Sequence, residues 1–113
     1  MPDIFNSAKF DSEKYLPLTE ATYYTMLSLV EPLHGYGIMQ KVAEISHGAV
    51  KPGPGTIYGV LATLEKEGLI IRDKQEKRRK LYILTIKGRL VLKDQIERLE
   101  VMVKNARDIR TRL

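Results

Sequence analysis

Pro52-Gly53-Pro54-Gly55-Thr56-Ile57-Tyr58-Gly59-Val60-Leu61-Ala62-Thr63-Leu64-Glu65-Lys66-Glu67-Gly68-Leu69 reads as one short helix with both ends marked. Gly53 suits the N-cap and Pro54 the first helical position, where a missing N–H costs nothing. Ile57, Val60, Leu61 and Leu64 recur at i, i+3, i+4 and i+7, the helical period. Gly68 falls where a left-handed residue closes a helix. The spacing predicts an amphipathic helix of roughly 14 residues, about 21 Å long. Its polar face carries Tyr58, Gly59, Ala62, Thr63 and Lys66, a small and smooth surface of the kind a groove accepts. Two small residues on a helix face also suit packing against another helix, and this stretch alone does not separate the two readings.

Upstream lie two more helices. Thr19 can cap one from about Glu20 to Val30, with Ala21, Met26, Leu27 and Val30 facing inward. Glu20 suits the positive end of its dipole, and Pro32 stops it. A second runs from Gly35 or Tyr36 to Ser46 with Ile38, Val42 and Ile45 as its buried stripe, and Gly48 closes it. Three short helices with brief links suggest a helix-turn-helix. Residues 1–17 read as an irregular arm, with a helical turn near Ser7 to Phe10 and aromatics packed on the body or a second subunit.

After Gly68 the period changes from 3.6 to 2. Leu69-Ile70-Ile71-Arg72 and Leu81-Tyr82-Ile83-Leu84-Thr85 read as strands. From Arg72 to Lys80 six Lys or Arg stand against two acidic residues, a net of +4 out of +5 for the whole chain. A basic hairpin directly after a helix-turn-helix is a wing. Thr85 then caps a last helix from Ile86 to near Leu113, with an early Gly88 costing about 1 kcal/mol. Leu92, Ile96, Leu99, Val103 and Ala106 step by 4, 3, 4 and 3, a coiled-coil-like seam. Residues 18–85 cannot cover a stripe roughly 40 Å long, whereas a two-fold partner can. The expected architecture is therefore mainly α with a small β-hairpin (α+β). It comprises an N-terminal arm (1–17), a winged helix-turn-helix (18–85) and a C-terminal dimerisation helix (86–113).

Composition narrows the function. At 113 residues, 43% hydrophobic and 29% charged, the chain is an ordinary globular protein. The absence of cysteine excludes disulfides, thiol nucleophiles and thiolate metal sites. No leader pattern or long apolar run is present, which predicts a cytoplasmic protein with no membrane partner. A pI near 9.5 leans toward an anionic partner. His34 and His47 lack metal-ligand spacing, and Glu65 and Glu67 point to different helix faces. No nucleophile–base pair, phosphate loop or metal set is present, so neither an enzyme nor a cofactor is expected. Met26, Met39 and Met102 read as core or seam filler.

His34-Gly35-Tyr36-Gly37-Ile38, Gly55-Thr56-Ile57-Tyr58, Leu61, Leu64-Glu65-Lys66-Glu67-Gly68-Leu69-Ile70, Arg79-Lys80-Leu81-Tyr82, Leu84-Thr85 and Gly88 together resemble the PadR family of bacterial transcriptional regulators. The resemblance covers about Leu18 to Leu92, and the single C-terminal helix is similar to the short subfamily. It implies a winged-helix homodimer that binds double-stranded DNA as a repressor, relieved by a phenolic or drug-like ligand or a stress signal. The chain has no Trp, whereas some multidrug-binding relatives place one at the dimer pore, so flat aromatic sandwiching of a drug is not carried over.

Residues and resemblance agree on a mechanism. The central helix enters the major groove, which admits one helix. Thr56 and Tyr58 donate hydroxyls near its start, and Gly59 permits close approach. Thr63 meets a base edge or a thymine methyl, while Lys51 and Lys66 flank the groove. Lys77, Arg78, Arg79 and Lys80 carry the wing to phosphates or the minor groove, and Tyr36 bonds a phosphate. The dimer reads a pseudo-palindromic operator with half-sites about one turn apart. Tyr58 could instead pack over the wing, Tyr36 could simply brace its helix, and the basic hairpin could be a solvated turn. A winged-helix adaptor that binds protein rather than DNA is the competing function, but it would favour an acidic or apolar wing. If a small molecule binds, the expected pocket is the seam beside Leu92, Ile96 and Leu99, under the partner's first helix.

Overall fold

Three short helices enclose one apolar core, and a hairpin and a long helix close it. The computed structural model describes residues 12–73 and 80–113. Helices α1 (Glu20–Ser28), α2 (Gly35–Ile45) and α3 (Pro54–Lys66) precede strands β1 (Ile70–Asp73) and β2 (Leu81–Leu84), and α4 (Ile86–Arg110) follows. Buried Met26, Leu29, Ile38, Val42, Ile57, Leu61, Leu64, Leu69, Ile70, Tyr82, Leu84, Val91 and Leu92 form a single cluster drawn from all six elements and the links between them. Non-directional burial of this apolar surface is what holds the helices together.

Local signals account for most boundaries. The Thr19 side chain accepts from Thr22 N at the start of α1, and the Thr85 side chain accepts from Gly88 N at the start of α4. Gly53 caps α3 with Pro54 behind it. Gly68 takes φ +74° and Gly48 φ +81°, left-handed conformations that glycine adopts at no steric cost. The hairpin is antiparallel, pairing Ile70 with Leu84, Ile71 with Ile83, Arg72 with Tyr82 and Asp73 with Leu81. Tyr82 and Leu84 face inward, and Leu81 and Ile83 are half-buried on the other side.

Several expectations need correction. Helix α1 ends at Ser28, so Val30 lies beyond it and is 47% exposed rather than inward. Thr25 and Ser28 take the buried places instead. Their hydroxyls donate to the Ala21 and Thr25 carbonyls at 2.7 and 2.6 Å, so no polar group is buried unpaired there. Ala21, Leu27, Ile45 and Val60 are half-buried. Helix α4 stops at Arg110, short of Leu113. Gly88, read above as a propensity cost, is a packing requirement. A Cβ there would lie 2.0 Å from the Leu69 carbonyl oxygen.

The helical turn expected near Ser7 to Phe10 lies outside the described residues. Ser12–Tyr15 forms a short 3-10 turn that straps the chain onto α4. The Ser12 hydroxyl bonds the Asp94 carboxylate, and Leu18 N donates to Gln95 Oε1 at 2.8 Å. Lys14 and Lys87 place their ammonium groups 5.0 and 5.2 Å from the Tyr15 ring centroid. Among the described residues no helix is long and apolar enough to cross a membrane.

Candidate nucleic-acid interface

Helix α3 divides cleanly into two arcs. Ile57, Leu61 and Leu64 are buried, whereas Thr56, Tyr58, Gly59, Ala62, Thr63 and Lys66 are exposed. A Cβ added at Gly59 would meet nothing within 4 Å. Among the described residues, therefore, no neighbouring helix of the protomer packs on Gly59. Lys51 is also exposed, just before the α3 N-cap.

The hairpin is anchored to the same helix. Arg72 Nε donates to Glu65 Oε2 at 2.7 Å, joining β1 to the last turn of α3 across the Gly68 corner. Leu33 pairs with Tyr82, Leu33 N donating to Tyr82 O at 3.1 Å and Tyr82 N to Leu33 O at 2.9 Å. The link before α2 thus adds a third, minimal strand beside β2. His34 Nδ1 lies 3.3 Å from the Lys80 carbonyl oxygen, which ties the start of α2 to the root of the wing. Exposed Lys80 is the described end of the basic stretch, whereas Lys77, Arg78 and Arg79 lie outside the described residues.

Both tyrosines stand at this junction. Tyr36, the second residue of α2, is 67% exposed, and Tyr58 is 52% exposed. The Tyr58 ring packs against Gly35 in the first turn of α2. Tyr82 is buried, which pushes its phenol above the ordinary range, and the Arg72 guanidinium opposes this more weakly. Among the described residues no three His, Cys, Asp or Glu gather to hold a metal. The Leu33 bridge, the His34 contact and the Glu65–Arg72 pair escaped the sequence reading. All three join residues distant in the chain, and only the seven-residue Glu65–Arg72 spacing across a glycine corner left a trace to follow.

Along α4 the five seam residues differ. Leu92 is buried within its own protomer, Ile96 and Leu99 are half-buried, and Val103 and Ala106 are exposed. A groove of about 370 Å³ runs between Val30, Leu84, Arg89, Leu92, Lys93, Ile96, Glu97 and Glu100. A second, of about 310 Å³, is lined by Tyr23, Ile96, Leu99, Glu100, Val103 and Arg107.

Residues 24–94 match the Transcriptional regulator PadR-like family, a span that takes in α2, α3, the hairpin and the first part of α4. The chain belongs to the PadR-like family. Among its relatives, the transcriptional regulator YqjI of Escherichia coli is 30% identical over 69 residues, 61% of this chain and 33% of that protein. An uncharacterized 37.1 kDa transposon protein of Streptomyces fradiae is 38% identical over 61 residues, 54% of this chain and 17% of its own. The chain thus spans a third or less of the curated relatives it matches. A PadR family transcription regulator from Clostridium difficile has a TM-score of 0.64 at 25% identity, over 78% of this chain and 96% of that one. The PadR family regulator of Eggerthella lenta shares the fold, with a TM-score of 0.67 over 95% and 92% of the two chains at 22% identity. The winged-helix PadR architecture with a long C-terminal helix is therefore the fold of this protein.

Proposed function

We propose that two copies of the chain pair through α4 and bind double-stranded DNA at a pseudo-palindromic operator, acting as a cytoplasmic repressor that a small phenolic or drug-like molecule or a stress signal relieves. The observation that carries this reading is the exposed, low face of α3, with an anchored basic hairpin beside it. Thr56, Tyr58, Gly59, Thr63 and Lys66 meet the major groove. Lys51 and Tyr36 reach the backbone, and Lys80 with Lys77, Arg78 and Arg79 follows the adjoining phosphates. Phosphate contacts position the protein, and the few groups on α3 read base edges.

Pairing is supported by the far end of α4. Residues 101–113 are exposed throughout, with Val101, Met102 and Val103 all more than half accessible. A free helical tail of this length is marginal in water. A second α4 laid along Leu99, Val103 and Ala106 gives it a reason to stay folded and sets the two reading helices at fixed separation. The same partner would roof the groove beside Ile96, turning an open apolar cleft into an enclosed one suited to a small ligand.

The test is selection of bound fragments from the host genome, followed by titration at several salt concentrations. Four to six phosphate contacts per subunit predict an affinity falling by roughly seven to eleven powers of ten per tenfold rise in salt. Enriched fragments should carry inverted repeats with half-sites about 34–36 Å apart. Absence of enrichment, together with a flat salt response, contradicts the reading.

A further inference from the structure

Gly35 has no left-handed backbone to explain it, since its φ is not among the positive ones. It occupies the first turn of α2 and is buried, where alanine would ordinarily serve the helix better. The space around it supplies the reason. A Cβ at Gly35 would lie 2.5 Å from Tyr58 Oη, 2.9 Å from Cζ and 3.1 Å from Cε1. Every one of these close atoms belongs to the outer end of a single side chain, twenty-three positions along the sequence. That side chain belongs to the exposed arc of α3.

We infer that Gly35 is a positioning residue for DNA binding: its bare backbone is the seat on which the Tyr58 ring lies, and this seat fixes the Tyr58 hydroxyl at the junction of α2, α3 and the wing. The inference deepens the DNA-binding reading and rests on it. Tyrosine is suited to the task because its stiff ring carries a hydroxyl at the end of only two rotatable bonds, so little freedom is lost once the ring is seated. An alanine at position 35 evicts the ring without touching the fold. The atoms it meets are the free end of a half-exposed side chain rather than backbone. Gly37, two residues on, is the internal control, because a Cβ there meets only Leu33 at 3.6 and 3.9 Å, ordinary contact.

The experiment uses a fluorescein-labelled duplex enriched by the wild-type protein from a random-sequence pool. Affinity is measured for wild type, Gly35→Ala, Gly37→Ala, Tyr58→Ala and the Gly35→Ala/Tyr58→Ala pair. Incorporated 3-fluorotyrosine reports the Tyr58 environment by fluorine NMR. Gly35→Ala should weaken binding about tenfold, the effect of one lost hydrogen bond to a charged group, move the Tyr58 resonance and leave the melting temperature at or above wild type. Gly37→Ala should bind normally. In the Tyr58→Ala background the Gly35 change should cost nothing further, because its route is already gone. Undiminished loss in that background overturns the inference, and so does wild-type binding by Gly35→Ala. Unfolding of Gly35→Ala that the double variant reverses assigns the contact to the fold alone and also overturns it. Failure of wild type to enrich any duplex instead strikes the DNA-binding reading, and Tyr58 loses its role with it.

Discussion

Gly88→Ala should destabilise the protein even though it places a better helix former inside a helix. The Ala Cβ would fall 2.0 Å from the Leu69 carbonyl oxygen, 3.0 Å from its carbon and 3.1 Å from Leu84 Cδ2. Ordinary contact begins near 3.4 Å, so two backbones must part by about 1.4 Å, the difference between 3.4 and 2.0 Å, in a close-packed interior. That retreat strains two hydrogen bonds at the same corner, Thr85 N to Leu69 O at 3.0 Å and Thr85 Oγ1 to Gly68 O at 2.8 Å. Overpacking costs about 1–3 kcal/mol and each weakened hydrogen bond about 1 kcal/mol, against about 1 kcal/mol recovered in helix propensity. The net loss is about 2–4 kcal/mol, or roughly 8–16 °C in melting temperature for a chain of this size. Thermal denaturation followed by circular dichroism reads it, at one fixed protein concentration because association raises apparent stability. A variant that melts with wild type or above it would show that the close approach of α4 to Leu69 is wrong.

Two further outcomes follow from named contacts. Arg72→Ala removes the tie between β1 and α3; the exposed pair contributes only about 0.2–1 kcal/mol to stability. Hydrogen exchange of β1 and β2 amides should nevertheless accelerate, while α1 and α2 amides stay protected, and uniform protection across the hairpin would dismiss the tie. Stability should also fall in alkali. Burial lifts the Tyr82 phenol, and likewise Tyr23, so the folded state holds protons that the unfolded chain releases near pH 10. Their contribution is complete below about pH 10 and disappears as pH rises through the folded-state values. Tyr15, drawn down by Lys87 and Lys14, acts in the opposite sense. Tyr82→Phe should therefore flatten the fall in urea midpoint between about pH 9 and pH 11. A slope identical to wild type would rule Tyr82 out as its source.

Legibility in the sequence tracked the range of the interaction. The ends of α3 were readable because Gly53, Pro54 and Gly68 act on their immediate neighbours, and so was the capping of α4 by Thr85. Val30 misled because its spacing from Met26 fits a helix that in fact ends at Ser28. Thr25 and Ser28 were invisible as core because a hydroxyl that bonds its own helix can be buried without a partner elsewhere. The heptad rhythm of α4 located an apolar stripe but could not divide it. Leu92 is claimed by its own protomer, and Val103 by none of the described residues. The face of α3 was legible from composition, whereas its setting was not. Gly35 and Tyr58, Glu65 and Arg72, and Leu33 and Tyr82 meet only once the chain has folded.

The most direct test is sedimentation of the purified protein at micromolar concentration, alone and with an enriched duplex. The account predicts a free species of twice the 12.9 kDa chain mass and a complex holding two chains per duplex. A 12.9 kDa species that leaves the duplex sedimenting unchanged would contradict it.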